Sequence, residues 1–367
     1  MLTRTKVLNI LMEEDIGYHS GQELGKRLGV SRNAIWKSIE QLREDGYEIE
    51  SRTRVGYKLV GGEHSLTESS IISELKFPAK LAVFDSIDST NTFASNHSEM
   101  ISAEKPLLVV ANKQTDGRGR MGRKFFSPPG TGLYMTIAIK PKFAIDKALY
   151  VTIATAVAVC RAVEEISDVK ARVKWVNDIF VNNKKVCGIL TEAGANLETG
   201  KIDNILIGIG INCFSPASIP VEIRDTIGAI SKTRNSFSRS RLAALVYNNT
   251  IEVLKELEPK EQDPAAFFEA PTSGAGGPKF LQEYRLRSNV LGKRISIFPY
   301  QGASPIAANA IDIDDNGGLV VEYMEGPKMR QIESLTTGEI RLIGQKELVK
   351  IAVKIEISAF MAILSCF

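Results

Sequence analysis

Apolar residues recur at helical spacing in the first part of the chain. Val7, Ile10 and Leu11 lie on one face of a predicted first helix. Ser20 and Glu23 have the spacing of a capping box, in which a serine caps the backbone and the acid three positions later caps it in return. The pattern therefore predicts a second short helix that begins just after Ser20.

A third helix follows the tight turn at residues 29–31. Ile35, Ile39 and Leu42 have i, i+4, i+7 spacing and form one apolar face. Two short helices joined by such a turn are typical of a helix-turn-helix, whose last helix reads DNA. The candidate DNA-reading residues on the other side of that helix are Arg32, Asn33, Trp36 and Lys37.

Two short alternating segments after the third helix predict a β-hairpin. Tyr47–Ser51 and Tyr57–Val60 flank a basic tip that carries Arg52 and Arg54, and Gly61-Gly62 ends the unit. A cationic hairpin behind a cationic helix favours a winged helix that binds DNA. The alternative is a three-helix packing module whose charged face is merely solvated.

From residue 63 the pattern changes to short apolar strands mixed with a few helices, which predicts an α+β fold rather than regularly wound α/β. Asparagine tolerates left-handed turns, so Asn182-Asn183 predicts a tight hairpin between two strands. The predicted strands are Leu107–Ala111, Leu133–Ile139, Val173–Val181, Val186–Glu192 and Ile205–Ile211, and the predicted helices are Lys147–Ile166 and Ser238–Leu257.

The Pro/Gly-rich segment at residues 270–277 predicts a loop. Short strands split by turns then predict a small all-β barrel, at Arg294–Phe298, Ala307–Ile313, Leu319–Glu322, Gln331–Ser334 and Ile340–Ile343. The predicted domains are 1–62, 63–288 and 289–345, followed by a tail, 346–367, to which we assign no role.

Composition narrows the function classes. With 46 Lys+Arg against 43 Asp+Glu and 44% hydrophobic residues, the chain is not globally disordered, and DNA contacts require a local cluster of cations. Four cysteines without CxxC spacing indicate reduced thiols, and three scattered histidines disfavour a His-ligated metal or a His-based triad. The longest apolar runs fall short of the about 20 residues that span a membrane, so we expect a soluble, cytoplasmic protein.

The segment Gln114–Lys124 is the most informative loop. Its G-x-G-x-x-G at residues 117–122 runs into a strand rather than opening a helix, which excludes a dinucleotide-binding fingerprint, and no Walker sequence occurs. Glycines that admit close backbone approach, together with Arg118, Arg120 and Arg123, suit a polyphosphate. The alternatives are a flexible basic surface loop or a nonspecific nucleic-acid contact.

Three further segments have candidate chemistry. Lys174–Asp178 is predicted on one strand of the hairpin with Lys185 on the return strand, so that an Asn-Asp pair could order Mg²⁺ or a nucleotide and a lysine could neutralise an anion. The alternative is that these are ordinary turn and exposed-strand residues.

Phe84–Asn91 is rich in small polar side chains, for which helix capping by Asp88 or Ser89 is the simpler interpretation. Gly208–Asn212 is predicted as a strand that ends in a polar residue.

Taken in order, these motifs resemble those of the biotin protein ligases. They are Asp88-Ser-Thr-Asn91, Gln114 with Gly117-Arg-Gly-Arg-Met-Gly-Arg123, Lys174-Trp-x-Asn-Asp178, Lys185-x-x-Gly-Ile-Leu190 and Gly208-Ile-Gly-Ile-Asn212. With the winged helix in front, the chain resembles the bifunctional type that also represses a biotin operon. The resemblance spans about residues 1–345. Phe125 and Val176 depart from it, because the family commonly has Trp and Pro there.

The resemblance implies a central domain like that of class II aminoacyl-tRNA synthetases and a C-terminal SH3-like barrel. It implies that biotin and ATP, with Mg²⁺, give biotinyl-5′-AMP, and that biotin then passes to a lysine of a biotin carboxyl carrier domain. It also implies a homodimer that forms with the adenylate and binds operator DNA. A lipoate or octanoate ligase and a non-catalytic biotin-sensing repressor are the alternatives.

The resemblance also assigns residues. The catalytic residues would be Arg118, Arg120 and Lys185. Biotin would contact Ser89, Thr90, Asn91, Gln114, Arg118, Gly119, Arg120 and Lys185. ATP would contact Arg120, Arg123, Phe125, Asn177, Asp178 and Asn212, with Asp178 as the Mg²⁺ ligand. DNA would contact Arg32, Asn33, Trp36, Lys37, Arg52 and Arg54.

Overall fold

A computed structural model of the chain provides the structure. It describes residues 3–13, 17–44, 47, 49–59, 66–143, 148–195, 202–216, 218–233, 236–258, 277–300 and 303–342. The predicted end of the first domain at Gly61-Gly62, the predicted loop at 270–276 and the predicted tail lie outside the described residues.

The N-terminal unit has the predicted helix-turn-helix and hairpin. Its elements are α1 (Thr3–Glu13), α2 (Gly21–Leu28), α3 (Arg32–Glu44), β1 (Ile49–Arg52) and β2 (Gly56–Leu59), the last two paired antiparallel. Ser20 Oγ accepts the Glu23 backbone N–H at 3.1 Å, which confirms the predicted cap of α2. Gly29 ends α2 in the left-handed conformation at φ 68°, as a helix C-terminus favours. The α3 residues Ile35, Ile39 and Leu42 are buried in the small core, as predicted.

The central unit is a seven-stranded sheet with helices on both faces. Its elements are α4 (Glu68–Ile72), β3 (Lys80–Phe84), α5 (Thr90–Asn96), β4 (Leu107–Ala111), β5 (Gly132–Ile139), α6 (Ala148–Ile166), β6 (Arg172–Lys174), β7 (Asp178–Val181), β8 (Lys184–Ala195), β9 (Ile202–Asn212), α7 (Val221–Arg224), α8 (Arg239–Leu254) and α9 (Lys279–Arg287). The strand order is β3-β4-β5-β9-β8-β7-β6, with β3 and β4 parallel and the other neighbours antiparallel.

The alternation of side chains along β5 and β9 divides the sheet into two faces. Odd-numbered residues such as Ile207 and Ile209 enter the main core, which α6 and α8 also line. Even-numbered residues lie on the other face, where Leu206 packs in a smaller core with Ala94 of α5. The glycines of the Gly208–Asn212 motif therefore fall on the α5 face.

The predicted strand Val173–Val181 is wrong as a single element. It is split into β6 and β7 by a turn at residues 175–177, so the Lys-Trp-x-Asn-Asp motif spans a turn rather than lying on one strand. The buried Trp175 indole donates to the Gly317 carbonyl at 3.1 Å, and the Tyr284 hydroxyl donates to the Val176 carbonyl at 3.0 Å. These long-range contacts fix a turn that local propensity does not encode.

Other predicted elements agree with the structure. Asn182 and Asn183 have φ of 50° and 61° and join β7 to β8 as predicted. The helix predicted from Ser238 begins at Arg239 with Ser238 as its cap, and a short 3₁₀ turn, Lys255–Leu257, follows its end at Leu254. Among the described residues, none of the helices is both long and apolar enough to cross a bilayer.

The C-terminal unit is a five-stranded antiparallel sheet, whose strands lie where the turn-and-strand pattern predicted the strands of a small all-β barrel. Its strands are β10 (Arg294–Phe298), β11 (Ile306–Ile313), β12 (Leu319–Tyr323), β13 (Ile332–Leu335) and β14 (Glu339–Leu342), in the order β13-β12-β11-β10-β14. Its turn at residues 314–318 lies against Trp175 and α6, which ties this sheet to the central unit.

Candidate active site

The floor of the site is the glycine-bearing face of β9. A Cβ atom on Gly208 would lie 2.4 Å from Asn91 Oδ1, and one on Gly210 would lie 2.4 Å from the Phe125 ring. Both distances are too short for real contacts, so glycine is needed for Asn91 and Phe125 to rest directly on the sheet. The isoleucines between them point into the core, which explains the alternating Gly-Ile-Gly-Ile sequence.

One end of the site is a buried cluster of uncharged side chains. Thr136 on β5 is fully buried, and its hydroxyl lies 2.8 Å from Thr90 Oγ1 and 2.5 Å from Asn91 Oδ1. Asn91 Nδ2 donates to the Glu192 carboxylate at 2.7 Å. Buried polar groups that satisfy one another in this way form a rigid recognition surface.

Gln114 fastens the start of the arginine loop to this cluster. Its Oε1 accepts the Thr90 backbone N–H at 2.9 Å and the Thr90 hydroxyl at 3.1 Å, while its Nε2 donates to Ser127 Oγ at 3.2 Å. Ser89 Oγ accepts the Thr92 N–H at 3.4 Å as the cap of α5. The simpler alternative from the sequence, helix capping by Ser89, is therefore observed, beside the binding role that the resemblance assigns.

The arginine loop itself folds as a small hairpin over residues 117–125. The Phe125 N–H donates to the Gly117 carbonyl at 2.8 Å, and the Gly119 N–H donates to the Arg123 carbonyl at 2.7 Å. A Cβ on Gly117 would lie 2.7 Å from the Phe125 carbonyl oxygen, so this closure requires glycine. The tip, Arg120–Gly122, is a 3₁₀ turn with left-handed Met121.

This hairpin spreads its arginines over the two ends of the site. Arg118 donates to Thr92 Oγ1 at 3.2 Å and lies 3.7 Å from Glu192, beside the uncharged cluster. Arg120 donates to Asn177 Oδ1 at 3.0 Å, on the turn between β6 and β7. Burial lowers the pKa of the Arg120 guanidinium, while the carboxylates of Asp178 and Glu339 oppose that shift.

The other end of the site is densely charged. Lys185 Nζ lies 2.6 Å from Asp178, and Arg123 forms an ion pair with Glu339 at the start of β14. Burial works to raise the pKa of Glu339, but Arg123 and Arg341 together outweigh it, so the net pKa lies below the ordinary value. Asn177 Nδ2 donates to the Ile189 carbonyl at 2.8 Å, so Asn177 anchors Arg120 to β8. The C-terminal sheet thus supplies part of this charged end.

A small open pocket lies beside Asn212 at the end of β9. Asn212 Nδ2 donates to the Gly228 carbonyl at 3.0 Å, which holds the segment 228–230 against the strand end. A concave site with mostly apolar walls and a few polar groups is typical of small-molecule sites. The lining includes Phe126, Pro128, Thr131, Phe214, Pro216, Ile219 and Ile227.

Asp178 is the carboxylate at this site that the resemblance offers to a metal ion. Over the described ranges, no group of three or more His, Cys, Asp or Glu is placed to hold a metal by itself. Asp178 lies at the charged end, already beside the Lys185 ammonium. Mg²⁺ at nucleotide sites commonly takes one or two carboxylates and completes its coordination with substrate phosphates, so this donor set fits Mg²⁺ only together with a polyphosphate.

The predicted DNA-binding residues of α3 share the exposed face that the pattern predicted. Arg32, Asn33 and Lys37 are exposed to solvent, and Trp36 is 50% exposed. In the hairpin, Arg54 is exposed at the tip with φ of 64°. Arg52 pairs with Glu50 at 3.1 Å and lies 4.8 Å from the Tyr18 ring centroid, so it also has partners inside the unit.

Sequence reasoning missed three groups of residues at the site. Thr136 and Glu192 are polar positions inside otherwise apolar strands, and that interruption was an available signal. The lining of the Asn212 pocket and Glu339 come from distant parts of the chain. No local pattern marks such residues, because only the fold brings them to the site.

Comparisons with known proteins agree with this architecture. Residues 83–212 match the biotin/lipoate A/B protein ligase family, and residues 3–58 match a helix-turn-helix (HTH) domain. The chain is 37% identical over 329 residues to the bifunctional ligase/repressor BirA of Bacillus subtilis, covering 89% of this chain and 95% of that protein. It is 28% identical over 306 residues to BirA of Escherichia coli, covering 83% and 88%.

The structure is also similar to biotin protein ligase from Aquifex aeolicus in complex with biotin and ATP. The TM-score is 0.56 at 26% identity, with 72% of this chain and 99% of that chain covered. Fold and site together define a ligase of the biotin/lipoate type fused to a DNA-binding domain. The chain belongs to the BirA family of bifunctional ligase/repressors. This membership supports the biotin ligase over the lipoate ligase and the non-catalytic sensor.

Proposed function

We propose that this protein joins biotin to ATP to form biotinyl-5′-AMP, transfers biotin to a lysine of a carrier domain, and represses transcription when it holds the adenylate. The observation that carries the proposal is the arginine hairpin, residues 117–125. It connects the uncharged cluster, through Arg118 at 3.2 Å from Thr92, with the charged end, through Arg120 at 3.0 Å from Asn177. One short loop therefore covers both the place for a neutral ring and the place for phosphates.

The uncharged cluster suits the ureido ring of biotin. Thr90, Asn91 and Gln114 carry donors and acceptors in a buried setting, where hydrogen bonds discriminate strongly. Ser89 and the backbone at Gly119 lie on the same two segments and complete the proposed lining. Phe125, whose ring rests on Gly210 of β9, provides an apolar surface for the nucleotide next to biotin, as the resemblance assigns it.

The charged end suits the reacting groups. A carboxylate oxygen of biotin attacks the α-phosphorus of ATP, the P–O bond to the β-phosphate breaks, and pyrophosphate leaves with the electron pair. Two anions must approach each other, so cations that neutralise both supply most of the catalysis and no protein nucleophile is needed. We assign Lys185 to the biotin carboxylate, and Arg120 and Arg123 to the phosphates.

The nucleotide is placed by the remaining residues. The pocket beside Asn212 accepts the adenine, with Phe126 and Ile227 as apolar walls. Asn177 keeps Arg120 in position. Asp178 is the residue that would hold Mg²⁺, which would supply positive charge to neutralise the phosphates. In the second step the carrier lysine attacks the biotinyl carbonyl, the C–O bond to phosphate breaks, and AMP leaves.

The DNA-binding role uses the N-terminal unit. We propose that the adenylate-bound protein forms a homodimer, which places two α3 helices on half-sites of an operator. Arg32, Asn33 and Lys37 would reach base edges in the major groove, Trp36 would pack beside them, and the wing arginines Arg52 and Arg54 would contact phosphates or the minor groove. Operator affinity should then rise when biotin and ATP are both added, which gel mobility measures; unchanged mobility would contradict the coupling.

Biotin-dependent exchange of pyrophosphate into ATP tests the ligase activity. We expect exchange with biotin and none with lipoate or octanoate, because the buried cluster offers partners for a ureido group. Exchange that needs lipoate or octanoate would indicate an acyl ligase of the other kind, and no exchange with any of the three acids would indicate a repressor without catalysis.

Finer assignments stay predictions. We propose domain boundaries at 62/63, 288/289 and 345/346. We also propose that the central domain is like that of class II synthetases and that the protein is cytoplasmic. The antiparallel order β13-β12-β11-β10-β14 supports an SH3-like closure of the C-terminal unit, since its two end strands are adjacent along the chain.

A further inference from the structure

Glu192 is an acidic residue at the site that the proposed reaction does not use. It lies on β8 opposite Leu206 of β9 in the strand register, and cross-strand partners point to the same face of a sheet. Leu206 packs in the smaller core against α5, so the Glu192 side chain also lies on the α5 face, beside the uncharged cluster. Glu192 is half-buried, and one of its oxygens, Oε2, has two partners.

The first partner of Glu192 is the Asn91 amide, and this contact fixes which way the amide faces. Asn91 Nδ2 donates to Glu192 Oε2 at 2.7 Å. An ionised carboxylate has no proton to donate, so the NH2 side of the amide must face it. Asn91 Oδ1 is thereby turned towards Thr136, whose hydroxyl lies 2.5 Å away. If the amide turned over, its carbonyl oxygen would lie against the carboxylate, and two negatively polarised groups repel each other.

The hydrogen bonds beyond Asn91 have a fixed direction as well. The Thr90 hydroxyl donates its proton to Gln114 Oε1 at 3.1 Å. Thr136 therefore directs its own proton towards Thr90 Oγ1 or Asn91 Oδ1, which lie 2.8 and 2.5 Å away. The cluster is set from both ends, by the carboxylate of Glu192 and by the amide of Gln114. A ring that bonds to this cluster meets donors and acceptors whose positions Glu192 helps to determine.

The second partner of Glu192 is Arg118 of the arginine hairpin. Arg118 Nη2 lies 3.7 Å from Glu192 Oε2 and donates to Thr92 Oγ1 at 3.2 Å, so the side chain joins β8 to α5. The side chains of Arg118 and Glu192 are 44% and 35% exposed, and ion pairs in contact with solvent contribute little. A hydrogen bond from an amide to a carboxylate is stronger. We therefore expect the Asn91 contact to carry most of the effect of Glu192.

Glu192 is well separated from the ammonium of Lys185 on the same strand. The Lys185 side chain extends over Gly188, where a Cβ atom would lie 3.3 Å from its Nζ. Glu192 is four residues further along β8, which is roughly 13 Å at the rise of a strand. This distance exceeds the Debye length of about 8 Å at physiological salt. Loss of the Glu192 charge should therefore have little effect on the charged end.

We propose that Glu192 is a positioning residue for biotin, which orients the Asn91 amide of the uncharged cluster and holds Arg118 of the hairpin beside it. This inference rests on the proposed function and deepens it by naming the residue that sets the hydrogen-bonding pattern for the ureido ring. Glu192 acts through Asn91 first and through Arg118 to a smaller extent.

Equilibrium binding of biotin in the absence of ATP tests the assignment. Glu192→Ala removes both contacts and should raise the Kd of biotin about tenfold, while the KM for ATP in pyrophosphate exchange changes less than about twofold. Glu192→Gln keeps an oxygen for the Asn91 amide and removes the charge opposite Arg118, so it should raise the Kd only about two- to threefold. Glu165→Ala, at an exposed position on α6, is the matched control and should bind biotin like the wild type.

A double-mutant cycle with Asn91→Ala tests whether Glu192 acts through Asn91. If it does, adding Glu192→Ala to Asn91→Ala should raise the Kd of biotin by no more than about threefold. A full tenfold increase on top of Asn91→Ala, or an unchanged Kd in Glu192→Ala, would overturn the assignment. Equal increases in the Kd of biotin and the KM for ATP with a lower Tm would also overturn it, because they indicate a general loss of structure.

The wild type separates this assignment from the proposed reaction. Biotin binding without biotin-dependent pyrophosphate exchange would overturn the proposed adenylation. The Kd values of the variants, which are measured without ATP, would still decide the role of Glu192.

Discussion

The two ends of the candidate active site are built in opposite ways. At the uncharged end, Thr90, Asn91 and Thr136 are buried and hydrogen-bonded to one another. At the charged end, Arg123 and Lys185 keep much of their surface and pair with Glu339 and Asp178. The first arrangement is complete before a ligand arrives, with one ion pair, Arg118–Glu192, at its edge. The second balances cations against carboxylates that an arriving anion must displace or join.

This difference indicates how specificity and rate are divided. A rigid, desolvated cluster selects a neutral ring by its hydrogen bonds, because any mismatch leaves a buried group without a partner. A charged, wetter end accelerates the reaction by neutralising phosphates in the transition state. Substitutions at the two ends should therefore change different kinetic constants.

The largest effect is expected at the charged end. Arg120→Ala or Lys185→Ala should lower the rate of adenylate formation by about 10²–10³, because each removes a cation that acts mainly in the transition state. Pyrophosphate exchange at saturating biotin measures it. Lys184→Ala is the matched control, since Lys184 is the exposed neighbour of Lys185 and contacts only the Asp225 carbonyl among its described polar partners. A wild-type rate for Arg120→Ala would refute its assignment.

The next effect is expected on the floor that both ends share. Gly210→Ala would place a Cβ 2.4 Å from the Phe125 ring and should lower the free energy of unfolding by about 1–3 kcal/mol through overpacking. Denaturant unfolding measures it. Phe125→Leu in the same background should restore part of the loss, because a smaller side chain makes room. Equal stability of Gly210→Ala and the wild type would show that the ring does not rest on this glycine.

A smaller effect is expected at the uncharged end. Thr136→Val keeps the shape but removes the hydroxyl that Thr90 and Asn91 share, and it should cost about 1 kcal/mol of biotin binding, or about fivefold in Kd. The KM for ATP should stay unchanged. Thr152→Val is the control: it removes the α6 hydroxyl that hydrogen-bonds to the Thr191 hydroxyl, and it should leave the Kd of biotin unchanged. Equal changes for biotin and ATP would contradict the division of the site.

The smallest effect comes from ionic strength. Between about 0.01 and 0.15 M salt the Debye length falls from about 30 to about 8 Å, which screens exposed charges far more than buried hydrogen bonds. The KM for ATP should rise a few-fold across that range, and the Kd of biotin should change less. Titrations at matched pH measure both. A steeper salt dependence for biotin would reverse the proposed roles of the two ends.

Many helices, strands and turns were predictable because they depend on patterns of residues close together in the sequence. The capping pair Ser20 and Glu23, the apolar face of α3 and the Asn182-Asn183 turn all depend on residues close in sequence. The C-terminal strands were also predicted to within two residues at each end, since alternation and turn residues define them. The motif residues Asn91, Arg120, Asp178 and Lys185 do meet at one site.

The errors and omissions share a cause. The strand predicted over Val173–Val181 is interrupted by a turn, because the Trp175 indole donates to a carbonyl of the C-terminal unit 142 residues away. Glu339 and the lining of the Asn212 pocket could not be predicted as site residues for the same reason. Side-chain periodicity reports which face a residue occupies and cannot report which distant segment will cover that face.

By itself, the sequence determined which segments form helices and strands, where the cations cluster and that a glycine loop joins two strands. Only the tertiary structure decided that the glycines of β9 support Asn91 and Phe125, that the loop closes as a hairpin over both ends, and that one carboxylate of β8 lies beside both Asn91 and Arg118. Local preferences come from bond geometry and burial, which act over a few residues. The arrangement of charges depends on packing between residues far apart in the chain.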